Sequence, residues 1–229
     1  MSVFLSWLYP PRCRLCGAPG MAALPLCPGC YRDLPWNTHP CPRCGKPLPS
    51  RATRDSHCGA CQGDPPVFDT CLAPLLYADI AIPLVTGFKF RHRFDDGYLL
   101  ATLLARRAAR VVPRPQALLP VPMHPRRLRQ RGFNQSLEIA QIVGSRLGIP
   151  VLPRLLRRIR HTPPQLGLSR QERLVNLRHA FDTITPLPFT HVALVDDVMT
   201  TGTTAQEVSQ RLRQAGAECV AVWVVARTV

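Results

Sequence analysis

From Val67 onward, short apolar runs alternate with amphipathic stretches, a pattern of strands separated by helices. Cys71 to Tyr77, Ala117 to Val121, Val192 to Val195 and Glu218 to Ala226 read as strands. Ile82 to Phe90, Asp95 to Val112 and Asn134 to Leu147 read as helices, the last closed by Gly148. After Val195, the residues Ala205, Val208, Leu212 and Ala215 recur at helical spacing. Such alternation predicts an α/β fold: a mostly parallel sheet flanked by helices, with ligands at the C-terminal strand ends. The N-terminal stretch follows neither period, being rich in proline and cysteine and poor in apolar residues. We therefore expect two units, residues 1–65 and 66–229, joined near Asp64-Pro65-Pro66. At the start, Val3, Phe4, Trp7 and Leu8 suit one docking helix turn that ends at Pro10-Pro11.

At 229 residues the chain can bury a full core plus a small appendage. No apolar run approaches the roughly 20 residues of a membrane span, so no stable membrane insertion is expected. The N-terminus lacks a basic segment and a small-residue cleavage site, which predicts a cytoplasmic protein. In that compartment ten cysteines argue for metal before disulfides. Eight of them form four Cys-x-x-Cys knuckles: Cys13/Cys16, Cys27/Cys30, Cys41/Cys44 and Cys58/Cys61. Two knuckles present four thiolates to one tetrahedral ion, so four knuckles predict two structural zinc sites. Local pairing would join the first two and the last two knuckles, although spacing alone leaves a crossed pairing open. Thiol redox chemistry is the rival, and four evenly spread pairs serve it poorly. His57 reads as a bystander, and Cys71 and Cys219 as small core residues.

The most specific string is VALVDDVMTTGTT, residues 192 to 204. A buried strand leads into two adjacent carboxylates, Asp196 and Asp197, and then through Val198 and Met199 into Thr200, Thr201, Gly202, Thr203 and Thr204, before a helix begins. Backbone N–H groups, threonine hydroxyls and a helix N-terminus suit a phosphate dianion. Paired carboxylates suit sugar hydroxyls, directly or through a divalent metal, so a phosphorylated ribose is the natural ligand. An ordinary βα turn with an acid at its rim would not require the whole order. No Walker A string competes.

Charge extends the picture. The formal net charge is +15, and 27 of the 29 basic residues are arginine. The excess over acids points to a polyanionic ligand, pyrophosphate or nucleic acid. Three segments concentrate it. Pro120 to Gln135 carries His124, Arg126, Arg127, Arg129 and Arg131 and is expected as a strand-end loop, because Pro122 and Pro125 oppose a regular helix. His161 to Phe181 combines a Ser169/Glu172 capping box with Gln165, Arg170, Arg173 and Arg178. Gly87 to Gly97 is read as a loop in which Lys89, Arg91 and Arg93 alternate with Phe88, Phe90 and Phe94, a pattern suited to single-stranded DNA or to core packing.

The string from Val192 resembles the phosphoribosyl-pyrophosphate signature of type I phosphoribosyltransferases. The order of Cys-x-x-Cys knuckles, a Lys/Arg-Phe segment, VPMHPRRLRQRGFNQ, R-x-T-x-x-Q with E-R-x-x-N, and that signature resembles the ComF family over almost the whole chain. The resemblance implies a type I phosphoribosyltransferase-like domain behind a double zinc ribbon. It also implies phosphoribosyl pyrophosphate with magnesium as ligand, and a role in competence and DNA uptake alongside DNA-processing proteins. Carried over, Asp196 and Asp197 hold the ribose and residues 200–204 the 5′-phosphate. His124, Arg126, Arg127, Arg131 and Lys89 are the remaining candidate substrate contacts. The acceptor stays unassigned.

Overall fold

The computed structural model describes residues 12–22, 24–53, 55–160, 180–184 and 186–229. The expected docking turn at Val3, Phe4, Trp7 and Leu8 lies outside them, as does the segment 161–179 with Gln165, the capping box and its arginines.

Two short helices, α1 (Pro28–Arg32) and α2 (Gly59–Gly63), belong to the Cys-rich part. The α/β part runs β1 (Thr70–Leu72), β2 (Leu75–Leu76), α3 (Ala81–Arg91), α4 (Phe94–Ala108), β3 (Ala117–Pro120), α5 (Pro125–Arg131), α6 (Gln135–Leu147), β4 (Leu156–Arg158), β5 (Phe181–Thr183), β6 (His191–Met199), α7 (Thr203–Gln214) and β7 (Cys219–Arg227). The main sheet is parallel throughout the described residues, in the order β1-β7-β6-β3, with β2 also on β7. The expected mostly parallel sheet flanked by helices is the observed architecture.

The two-residue period of the strands sorts their side chains onto two faces. Ala193, Val195, Ala221, Trp223 and Val225 join one core with α3, α4 and α6. Val192, Leu194, Val220, Val222 and Val224 join another with α7 and the β4–β5 pair. Leu24, Leu26 and Leu34 of the Cys-rich part are buried in the first core, so the zinc-binding region packs on the sheet's helical layer. Arg14 adds a 2.6 Å ion pair to Asp96, an α4 carboxylate that is only 2% exposed.

Four sequence expectations are corrected, and one element is new. The strand from Cys71 to Tyr77 is two pieces, because Pro74 interrupts it; both pieces still lie on β7. The Gly87 to Gly97 loop shrinks to two residues: α3 carries the expected Ile82 to Phe90 helix on to Arg91, His92 turns left-handed at φ 53°, and α4 starts at Phe94. Gly97 permits this tight corner, since a Cβ there would stand 2.4 Å from the Phe88 ring. The basic Pro120 to Gln135 segment contains a helix, because Pro125 takes the first helical position, where no N–H is needed. His124 Nδ1 accepts from the Arg126 N–H as its cap, and Gly132 at φ 82° ends it. The α4 helix stops at Ala108, short of Val112, which precedes Pro113. The antiparallel pair β4–β5 has no counterpart in the sequence pattern.

Candidate functional site

Strand β6 outlasts its apolar run. Strand β7 supplies backbone partners as far as Arg227, so β6 pairs on to Met199, and Asp196 and Asp197 sit inside the strand end instead of on a lip beyond it. Asp196 Oδ1 accepts from the Ser136 hydroxyl at 2.8 Å and from the Asp197 N–H at 2.9 Å. Ser136 is in place because Asn134 caps α6, accepting from the Ser136 N–H, and donates back to the Val121 carbonyl at the end of β3. Asp197 is 7% exposed; its Oδ2 takes a 2.8 Å ion pair from Lys89 Nζ on α3, and its Oδ1 accepts from the Val198 N–H.

Burial, and then the charge of Asp197, push the Asp196 carboxyl up to about 6, against the pull of Ser136 and Lys89. Burial holds the Arg131 guanidinium below its ordinary value, while it also feels Asp197 and Arg127. Arg158 on β4 is likewise lowered by burial and feels Arg127 and Asp196. The acidic pair therefore has Lys89 in contact and Arg131 and Arg158 within electrostatic reach, with Arg127 near those two arginines. Of the other candidates, His124 is engaged in capping α5, and Arg126 is exposed with no carboxylate partner among the described residues. Phe90 is exposed, with the Arg131 guanidinium 5.0 Å above its ring, whereas Phe88 is buried.

After β6, Gly202 at φ 81° turns the chain into α7, and the Thr201 and Thr203 hydroxyls meet at 2.7 Å. Asp196, residues 198–205 and neighbouring strand residues line a cavity of only about 30 Å³, so a sugar phosphate would have to lie on the open side of the loop. A larger cavity of about 560 Å³ lies behind the loop, between it and the second cysteine cluster. Arg227, 2% exposed, bridges the two there. Its Nε donates to the Cys44 carbonyl at 3.1 Å, and its Nη1 to the carbonyls of Met199 and Thr200.

Ser136, Arg158 and Arg227 are additions to the site that sequence reasoning misses. Arg227 has a signal, as the one charge closing the run CVAVWVVA, where a buried guanidinium must find acceptors. Arg158 has none, because the antiparallel strand pair that carries it leaves no mark in the apolar pattern.

The knuckles pair locally: Cys13, Cys16, Cys27 and Cys30 form one cluster, and Cys41, Cys44, Cys58 and Cys61 the other, with ligand atoms within 4.8 Å of one another. The Cys16–Cys27 and Cys44–Cys58 sulfurs stand 3.7 and 3.5 Å apart, close to the roughly 3.8 Å between thiolates tetrahedrally bound at about 2.3 Å. Burial opposes ionisation of Cys13 and Cys58, yet backbone N–H groups and neighbouring thiols that hydrogen-bond to them bring them down to about 6 and about 7. His57 is outside both clusters. Cys71 is buried as expected; Cys219 is only partly so.

Residues 4–62 match the double zinc ribbon domain, and both clusters are Cys₄ zinc-binding sites. The chain is 37% identical over 210 residues to "Competence protein F" of Haemophilus influenzae, covering 88% of this chain and 90% of that protein. It is 33% identical to the "DNA utilization protein YhgH" of Salmonella typhi and 34% identical to that of Escherichia coli, each covering 96% of this chain and 98% of the relative. Among solved structures, adenine phosphoribosyltransferase from Leishmania tarentolae aligns at a TM-score of 0.37 and 20% identity over 59% of each chain. An allosteric regulatory enzyme of purine biosynthesis aligns at 0.39 and 22% identity, over 56% of this chain and 25% of its own. No helix among the described residues is long and apolar enough to cross a membrane.

Proposed function

The chain belongs to the ComF family of competence and DNA-utilization proteins, and from that premise we propose that it binds phosphoribosyl pyrophosphate with magnesium at the end of β6. The observation that carries this is the buried acidic pair, ion-paired to Lys89 and coupled to Arg131 and Arg158, beside a threonine loop. Asp196 and Asp197 hold the two ribose hydroxyls, the loop from Thr200 to Thr204 takes the 5′-phosphate at the N-terminus of α7, and Arg127, Arg131 and Arg158 face the pyrophosphate. Lys89 neutralises Asp197 until the ligand arrives. The carboxylates are hard oxygen donors that fit a magnesium ion, which when bound would offset pyrophosphate charge. Residues 1–65 form the zinc-held platform and 66–229 the sugar-phosphate domain, in a cytoplasmic protein.

The reaction this site suits is pentosyl transfer: pyrophosphate leaves, positive charge develops on the ribose ring, and the carboxylates stabilise it while the arginines hold the leaving group. No side chain is assigned as general base, and the acceptor is left open. The second reading is a non-catalytic module for single-stranded DNA that keeps the sugar-phosphate site as a sensor, working with competence or DNA-processing proteins. The net charge of +15 favours it.

The test is calorimetric titration of the zinc-loaded protein with phosphoribosyl pyrophosphate and magnesium. Wild type should bind, and Asp197→Asn should weaken binding at least tenfold. Equal affinity in the two proteins would overturn the site.

A further inference from the structure

A second cleft, of about 270 Å³, lies where the first ribbon meets α4 and shares no residue with the end of β6. Tyr31 and Trp36 form one wall, with ring centroids 4.9 Å apart and planes tilted by 59°. The indole N–H of Trp36 donates to the Tyr31 carbonyl at 2.8 Å, which fixes the ring while leaving it partly exposed. Across from them, the last turn of α4 and the turn that follows present exposed Arg106, Arg107 and Arg110. The Arg106 guanidinium is 6.0 Å from the centre of the Tyr31 ring. None of the three arginines has a carboxylate partner among the described residues.

Packing and solvation account for an aromatic pair and for three surface arginines taken separately. They do not account for Asn37. This residue also lines the cleft and is 4% exposed. Its Nδ2 donates to the Gly45 carbonyl at 2.8 Å, which fixes the amide's orientation, and its Oδ1 is left buried without a donor. A buried acceptor without a partner is costly, and a donor held in the cleft would relieve that cost.

We propose that this cleft is a nucleotide-binding site: the base packs against Tyr31 and Trp36, a base N–H donates to Asn37 Oδ1, and phosphate lies among the three arginines. Each part answers one feature of a nucleotide. The rings supply stacking surface, which every base can use. Arginine pairs with phosphate through forked N–H groups. The volume is close to the lower end of ordinary small-ligand pockets, about 300 Å³, and so suits one nucleotide unit and not a larger cofactor. Such a unit can come from a single strand or from a free nucleotide. In the first case the cleft gives the DNA reading above its location, and it stands apart from the sugar-phosphate site.

The experiment uses full-length, zinc-loaded protein and a fluorescein-labelled oligodeoxyadenylate, read by anisotropy over a range of salt, with adenosine monophosphate as a separate titrant. The variants are Arg106→Gln/Arg107→Gln/Arg110→Gln, which changes exposed positions only, and Trp36→Leu, checked for zinc content. The triple variant should bind the strand at least tenfold more weakly and flatten the log–log salt dependence by about 2, at roughly 0.7 for each phosphate no longer neutralised. Trp36→Leu should cost about tenfold, as expected for one stacked base. Both should titrate with phosphoribosyl pyrophosphate as wild type does, which separates this site from the one at β6. If the variants lose the monophosphate but not the strand, free nucleotides are the source; loss of the strand assigns the strand. Wild-type affinity of both variants for both titrants would overturn the proposal.

Discussion

Asp196 and Asp197 are adjacent in sequence but differ in surroundings, and the difference sets how the site responds to pH. Asp197 has a lysine at 2.8 Å, whereas Asp196 has only a hydroxyl and an N–H, in a buried place beside a second carboxylate. Its pKa rises from 3.8 to about 6, by burial first and the charge of Asp197 second. A carboxyl raised in the folded state contributes stability while protonated. That contribution is complete below the unfolded value and is lost as pH rises through about 6. Ligand binding carries the opposite sign, because ribose hydroxyls donate to the ionised form. Affinity for phosphoribosyl pyrophosphate should therefore climb about tenfold per pH unit below about 6 and level off above it. The ligand's own phosphates ionise in the same range, so the informative quantity is the difference between wild type and Asp196→Asn. We expect the variant to lose one proton's worth of pH dependence in isothermal titrations; parallel profiles would mean that Asp196 does not titrate at the site.

At the scale of elements, β6, α7 and β7 act through the connection that Arg227 makes. The end of β7 places this side chain where one guanidinium serves the Cys44 carbonyl of the second zinc cluster and the Met199 and Thr200 carbonyls that open the threonine loop. Arg227→Met keeps the length and loses every donor. The Cys44 carbonyl then loses its donor and those of Met199 and Thr200 keep only Thr228, which should cost about 2 kcal/mol in urea unfolding and weaken sugar-phosphate binding, with zinc content unchanged. A loss under about 0.5 kcal/mol, the ordinary surface range, would mean that the loop holds itself. This bridge also marks what sequence can and cannot carry. The strands β3, β6 and β7 and the helix α6 are legible, because apolar period and the Asn134 and Gly148 caps are local signals. The acidic pair, the threonine loop and the four knuckles are legible for the same reason. Helix α5 is hidden because two prolines weigh as breakers, although one of them occupies the first helical position. Lys89 is a candidate from sequence and lies in the expected helix, but its ion pair with Asp197 depends on the tertiary placement of α3 beside the end of β6, which no local pattern carries. Arg158 and Ser136 reach Asp196 only through tertiary packing.

For the whole molecule, the question is whether the zinc ribbons are a separable appendage. The composition changes sharply near residue 65, yet the hydrophobic packing does not. Cys13, Leu24, Leu26 and Leu34 share one buried cluster with Leu84, Leu99, Leu103 and Trp223. Arg14 is the ion-pair partner of buried Asp96 on α4, and Arg227 ties the second ribbon to the loop at β6. Without zinc, each cluster would hold four unpaired thiols within 4.8 Å, and the ribbons have too few apolar residues to stay folded alone. Their unfolding would strip cover from α4 and leave the Asp96 carboxylate buried without its cation, which is costly. Chelation should therefore destabilise the α/β part as well. We expect the zinc-loaded protein to release about two zinc ions per chain and to melt in one calorimetric transition. After chelation, that transition should fall by more than 10 °C, at roughly 2–4 °C per kcal/mol for a chain of this size. In a Trp7→Phe/Trp36→Phe variant, which leaves Trp223 as the sole tryptophan, the near-ultraviolet tryptophan dichroism comes from the buried sheet residue, reports on the α/β part and should follow the same shift. A two-step melt whose upper step, and the Trp223 signal with it, is unmoved by chelation would make the ribbons an independent module and confine zinc to a local role.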